Sequence, residues 1–241
     1  VIFTIQEYQI LAQQGCFVRN TLTAAGMLLS VCVLAPASFI QSARAEQPRV
    51  SISTSLGEIV VELNADEAPA GVAHFLKYVD TGGYVGTIFH RVIPDFLVQA
   101  GGHHADLSDV DNSDIIINEA DNGLLNKAGT IAYARNDEID SAGGQFFINV
   151  NDNANLDHSA DSCSREDEKS RLRALERGLY KPQTCRTFGY AVFGHVISGM
   201  AVVVTMSEVS TSFQGDMADV PDDPIMINAM TRLQTATVDG K

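Results

Sequence analysis

Apolar and polar positions alternate with a period of two from Val50 to Ser55, break at Leu56-Gly57, and resume from Glu58 to Leu63. Successive side chains of a strand point to opposite faces, so this pair predicts an N-terminal β-hairpin. From Ala68 to Asp80 the period lengthens, and Val72, Phe75, Leu76 and Val79 fall on one face of a helix. Pro69 suits its first turn, where a missing backbone donor costs nothing, and Gly82-Gly83 end it. Short β-type runs follow at 87–93, 96–100, 129–134, 145–150 and 191–197, separated by loops rich in Gly, Asn and Asp. A second helix is predicted over Ala201–Val209, against the strand propensity of Val202-Val203-Val204, and alternation returns from Ile225 to Leu233. Many short strands with two clear helices predict a mainly β fold closed into a barrel, because closure removes exposed strand edges. No repeat and no proline-rich linker divides the chain, so one domain is expected from about Val50 to about Leu233.

Residues 1–45 are patterned differently. Arg19 precedes a mostly apolar run from Leu22 to Ile40, which closes on Ser42-Ala43-Arg44-Ala45, a small-x-small cleavage form. Ser30, Pro36 and Ser38 interrupt the run, which favours removal over a membrane anchor. The expectation is a signal peptide of residues 1–45 cleaved after Ala45, leaving residues 46–241 as one periplasmic domain without stable membrane insertion. Neither Cys16 nor Cys32 sits in a lipidation box, and cleavage leaves Cys163 and Cys185 as an even pair. In an oxidising compartment such a pair predicts one disulfide. The chain is 45% hydrophobic, enough for a sizeable core, and its formal net charge is −14. That charge repels nucleic acid and anionic lipid, so neither is expected as a partner.

The candidate chemistry clusters in the middle strands. Phe89 and Arg91 lie two apart, Phe96, Leu97 and Gln99 follow on the next run, and Gln145 and Phe147 are again two apart. Simple alternation would then give one barrel face a guanidinium, two carboxamides and several apolar side chains, with His90 on the face opposite Arg91. Unpaired polar groups in a core cost ~1–3 kcal/mol each, so this mixture points to a groove. Other tempting groups carry bland expectations. His103-His104 sit on a predicted loop with no third ligand at metal spacing, and no Gly-Lys-Ser/Thr follows the glycines at 101, 102, 143 and 144. Glu119, Asp121, Asp137 and Glu138 lie in polar stretches and are expected to be solvated.

Three segments, FHRVIPDFLVQAGG (Phe89–Gly102), GTIAYAR (Gly129–Arg135) and GGQFFINV (Gly143–Val150), in this order, resemble the substrate groove of the cyclophilin family of peptidyl-prolyl cis-trans isomerases. A fourth, FGYAVFGHVISGM (Phe188–Met200), is similar to the strand and turn before that family's second helix. The resemblance spans Val50 to Leu233. It implies a closed eight-stranded antiparallel barrel capped by two α-helices, and isomerisation of X-Pro bonds in exported proteins. It also implies proline-containing polypeptides as partners; no cofactor and no metal are expected, and the chain is expected to be a monomer. By the resemblance Arg91 is the catalytic donor, and Gln99 orients it and bonds the substrate backbone. Phe96, Leu97 and Phe147 form the proline pocket with Leu156 on its far wall, Ala134 and Arg135 lie along the bound peptide, and Gln145 lines an adjoining pocket. This chain departs from the family at Asn155, where Trp or Phe is usual, and at Tyr190, where many members have His. Both changes bear on substrate preference and inhibitor binding.

Residues 159–187 read as an insertion relative to a compact member of the family, with a capping box at Ser164–Asp167 and a charged helix over 165–177 ending at Gly178. A solvated decoration is the expectation, with a rim beside the groove as the alternative. A second functional class also fits the sequence: a module that holds proline-containing segments with little turnover.

Overall fold

The hydrophobic patterns resolve into ten strands and three helices in a computed structural model that describes residues 46–234, apart from 112, 160–162, 164 and 180–182. The expected signal peptide, Cys16, Cys32 and Ser164 of the capping box lie outside the described residues. Strands β1 (Arg49–Thr54) and β2 (Gly57–Leu63) form the N-terminal hairpin. Helix α1 (Pro69–Thr81) leads to β3 (Thr87–Ile93) and β4 (Leu97–His104), and then come β5 (Thr130–Tyr133) and β6 (Phe146–Asn149). Helix α2 (Arg165–Leu175) lies in the insertion, followed by β7 (Val192–Ser198) and α3 (Met200–Ser207). Strands β8 (Thr211–Gln214), β9 (Met217–Pro221) and β10 (Ile225–Leu233) complete the chain. Eight strands close as an antiparallel barrel in the order β1-β10-β3-β4-β6-β5-β7-β2, while β8 and β9 form a separate hairpin. That hairpin carries no clear alternation and is not among the predicted strands.

The core contains the predicted face of α1 (Val72, Phe75, Leu76, Val79), the inward residues of the barrel, and Val203 and Met206 of α3. Helix α3 can start where it does because Gly199 sits at φ 87, and a Cβ there would come within 2.3 Å of the Glu58 carbonyl oxygen. At α1 the N-cap residue Ala68 supplies no side-chain acceptor. Glu119 takes that place, accepting hydrogen bonds from the N–H groups of Ala70 (3.0 Å) and Gly71 (2.8 Å). The expectation that Glu119 is merely solvated therefore fails, because the first N–H groups of a helix need acceptors and a carboxylate there suits the helix dipole.

Two further expectations change in β3 and β4. The β3–β4 register shifts between Phe89 and Arg91, so an extra residue faces β4 there. Phe89 consequently joins Val92 in the core, and Arg91 does not share its face. His90, expected on the face opposite Arg91, is buried and meets His103 edge-on at 4.6 Å. His103 and His104 end a strand that runs four residues beyond the predicted stop, and His103 pairs with Asp109 at 3.1 Å.

The insertion is anchored. Cys163 and Cys185 are joined in a disulfide with Cα atoms 5.9 Å apart. Arg171 of α2, with 3% of its side chain exposed, donates from Nη1 to both oxygens of Asp140 (2.7 and 2.8 Å) and lies over the Phe188 ring at 4.9 Å. Asp140 Oδ1 also accepts from the Asn118 N–H at 2.8 Å. The expected solvated decoration is thus docked through a buried ion pair, a contact that a charged helical pattern does not reveal.

Candidate active site

Strand register builds the site. Arg91 on β3 pairs with Gln99 on β4, Gln99 with Phe147 on β6, and Phe147 with Ala132 on β5. These four residues form a row across the sheet, on the side away from the core that holds Val92, Val98 and Ile148. Arg91 Nη1 approaches Gln99 Oε1 at 3.5 Å, and Gln99 Nε2 donates to Gln145 Oε1 at 2.9 Å. The Gln99 carboxamide thereby turns its oxygen to the guanidinium. Gly102 backs Gln145 so closely that a Cβ would lie 2.6 Å from Gln145 Cδ.

Beside the polar row lies a separate apolar cluster of Leu97, Ala132, Phe147, Leu156 and Val192, with Phe96, Leu124, Ala134 and Tyr190 against it. The four residues expected to form a proline pocket, Phe96, Leu97, Phe147 and Leu156, meet in this cluster. Tyr190 meets Phe147 edge-on at 5.8 Å. Leu156 sits in a short 3₁₀ turn whose carbonyl accepts from Asn126 Nδ2 at 3.1 Å, while the Asn126 N–H donates to Asp157 Oδ1 at 2.6 Å. Asn149 donates to Asn126 at 3.2 Å, and Asn153 donates to Asn149 at 2.7 Å. This asparagine relay holds the turn that carries Leu156. Its only trace in the sequence is the asparagine-rich loop composition, which does not say which residues meet. Asn155 points to solvent on the same turn.

Arg135 lies at the rim but is heavily engaged. Its guanidinium donates to the carbonyl oxygens of Gly189 (2.9 Å), Asn136 (2.8 Å), Cys185 (3.1 Å) and Arg186 (3.2 Å), and it stacks on Tyr190 at 5.0 Å. Burial holds its pKa below the ordinary arginine value. It therefore ties the end of the insertion to the groove. A cavity of about 170 Å³ adjoins it, lined by Gln99, Ala134, Arg135, Ser141, Gly143 and Gln145 among others. Asp219 is a neighbour that the sequence does not reveal, its Oδ2 lying 3.8 Å from Arg91 Nε. Buried His90 has its pKa lowered to about 4 by desolvation and by His103. Among the described residues no group of three or more His, Cys, Asp or Glu is placed to hold a metal ion.

The closed antiparallel barrel thus carries a guanidinium and two carboxamides beside an external apolar cluster. Residues 49–232 match the family described as cyclophilin type peptidyl-prolyl cis-trans isomerase/CLD. The chain belongs to that family of enzymes. It is 41% identical over 211 residues to peptidyl-prolyl cis-trans isomerase A of Dickeya dadantii, covering 88% of this chain and 96% of that one. It is 37% identical over 182 residues to peptidyl-prolyl cis-trans isomerase B of Escherichia coli, covering 76% of this chain and 98% of that one. A cyclophilin type isomerase of Cryptosporidium parvum has the same fold, with a TM-score of 0.57 and 20% identity over 78% of this chain and 99% of that one.

Proposed function

We propose that the protein isomerises X-Pro bonds in exported polypeptides, with Arg91 as the electrostatic catalyst. The observation that carries this reading is the in-register row of Arg91, Gln99 and Phe147 beside the apolar cluster. A peptide bond resists rotation by ~18–20 kcal/mol because resonance makes C–N partly double. Rotation forms no bond to carbon, so neither nucleophile nor general base is required. In the twisted state the proline nitrogen is pyramidal and holds a lone pair. A donor aimed at that lone pair is stronger there than in the planar ground state. Arg91 supplies a permanently charged, forked donor. Phe96, Leu97, Phe147 and Leu156 seat the proline ring, Gln99 bonds the substrate backbone, and Gln145 and Ala134 line the adjoining cavity. Lowering the barrier by ~7 kcal/mol would accelerate exchange about 10⁵-fold.

Export rests on the leader pattern ending at Ala45, and the disulfide suits an oxidising compartment. Among the described residues no helix is long and apolar enough to cross a membrane. An N-terminus at Glu46 in protein recovered from the periplasm of a bacterial host would support export, and retention of residues 1–45 there would oppose it. The activity is tested by direct NMR exchange on an Ala-Pro peptide. Arg91→Ala should lose at least about 100-fold in kcat/KM, some 2.7 kcal/mol of transition-state stabilisation, with an unchanged melting temperature. Turnover within about twofold of wild type would overturn the role of Arg91. Binding of proline peptides without turnover in the wild type would favour a holding module instead.

A further inference from the structure

Arg91 is approached from two sides. Gln99 reaches it from the neighbouring barrel strand, and Asp219 reaches its Nε from the β8–β9 hairpin, which packs on β3. The backbone at Asp219 has φ 60, a left-handed conformation that is costly for any residue but Gly. Asp and Asn tolerate it best. The same hairpin uses Gly215, φ 62, at its turn, yet at 219 it keeps a carboxylate in that conformation. The side chains of Arg91 and Asp219 are 40% and 43% exposed, so solvent screens the pair and stability does not account for it.

We propose that Asp219 is a positioning residue for Arg91. The inference rests on the reading of Arg91 as the catalytic donor. The Gln99 bond is at its distance limit and leaves a long side chain free to sample other rotamers. Asp219 restricts that sampling through Nε, the guanidinium nitrogen nearest the backbone, and leaves the terminal nitrogens available to substrate. The hairpin sets the direction of the carboxylate, and the left-handed backbone at 219 is what turns it back toward β3. The cost is borne in the ground state of the free enzyme, and the benefit is an Arg91 already oriented when the peptide twists.

The test is a pair of substitutions with a double-mutant cycle. Asp219→Asn keeps shape and backbone tolerance but removes the charge, and Asp219→Gly also relieves the backbone. Both should lower kcat/KM by about three- to tenfold, mainly in kcat. The melting temperature should hold in Asp219→Asn and hold or rise in Asp219→Gly, which a structural role would not produce. In the Arg91→Ala background Asp219→Asn should change kcat/KM by less than about 1.5-fold. The Arg91 Nε–H group should show lower NMR order in Asp219→Asn than in wild type. An Asp219→Asn rate within about 1.5-fold of wild type, or equal losses with and without Arg91, would overturn the proposal. If Arg91→Ala itself leaves turnover intact, the catalytic reading falls first. Unchanged Nε–H order then overturns the positioning role as well, and reduced order sustains it.

Discussion

At the scale of single residues, the candidate groove carries a chain of polar contacts from Arg91 through Gln99 to Gln145. The carboxamide of Gln99 has two possible orientations, and the Gln145 acceptor selects the one that offers oxygen to Arg91. Gly102 gives Gln145 its room, since any side chain there would start 2.6 Å from Gln145 Cδ. Gly102→Ala should therefore displace Gln145 and leave Gln99 free to flip. The expected result is a loss of about tenfold in kcat/KM, near 1.4 kcal/mol, measured by the NMR exchange assay. Retained activity would show that the orientation of Gln99 does not depend on Gln145. The types of these residues were visible in the sequence, because Arg and two Gln among apolar strand positions are poor core choices. Their faces were not all visible. Phe89 and Arg91 look equivalent under simple alternation, and only the register shift between them sends one into the core and the other to the groove.

At the scale of elements, long periodic segments were the most legible. Helix α1, the first hairpin and β10 follow from patterns of 3.6 and 2.0 residues, because each has one buried face that dictates its period. The β8–β9 hairpin was not legible. None of the four residues of β8 is buried and the turn falls at Gly215, so burial imposes no alternation on that strand. Helix α2 was predicted as a charged segment, but the direction of Arg171 was not. A helix of charged residues usually faces water, and only the position of Asp140 on a distant loop gives Arg171 a reason to be buried. Removing one member of a buried pair strands the other. Arg171→Leu should cost roughly 3 kcal/mol, read as a lower urea midpoint, because Asp140 would keep only the Asn118 donor. A neutral effect would mean that α2 undocks at little cost and leaves Asp140 to water.

At the scale of the molecule, two buried histidines tie stability to pH. His90 is lowered to about 4 and His74 is lowered in the same direction, both chiefly by desolvation. Their ordinary value is 6.5, so between pH 6.5 and about 4 the unfolded chain binds more protons than the folded one. Stability from His90 is fully present above pH 6.5 and declines as pH falls through that window. The loss from His90 between pH 7 and pH 5 should be about 2 kcal/mol in urea titrations, and His90→Gln should flatten the slope. An unchanged slope would mean that His90 is hydrated before the barrel opens. What the sequence alone determined is the set of strands and helices with a buried face, the closure they require, and the composition of the groove, since these depend on local period and residue type. The tertiary structure decided which face Arg91 takes, that Arg135 spends its donors on carbonyl groups at the end of the insertion, that Glu119 caps α1, and that Asp219 stands beside Arg91. Each of those contacts joins residues whose meeting depends on strand register or loop closure, and neither is written in the pattern of a single segment.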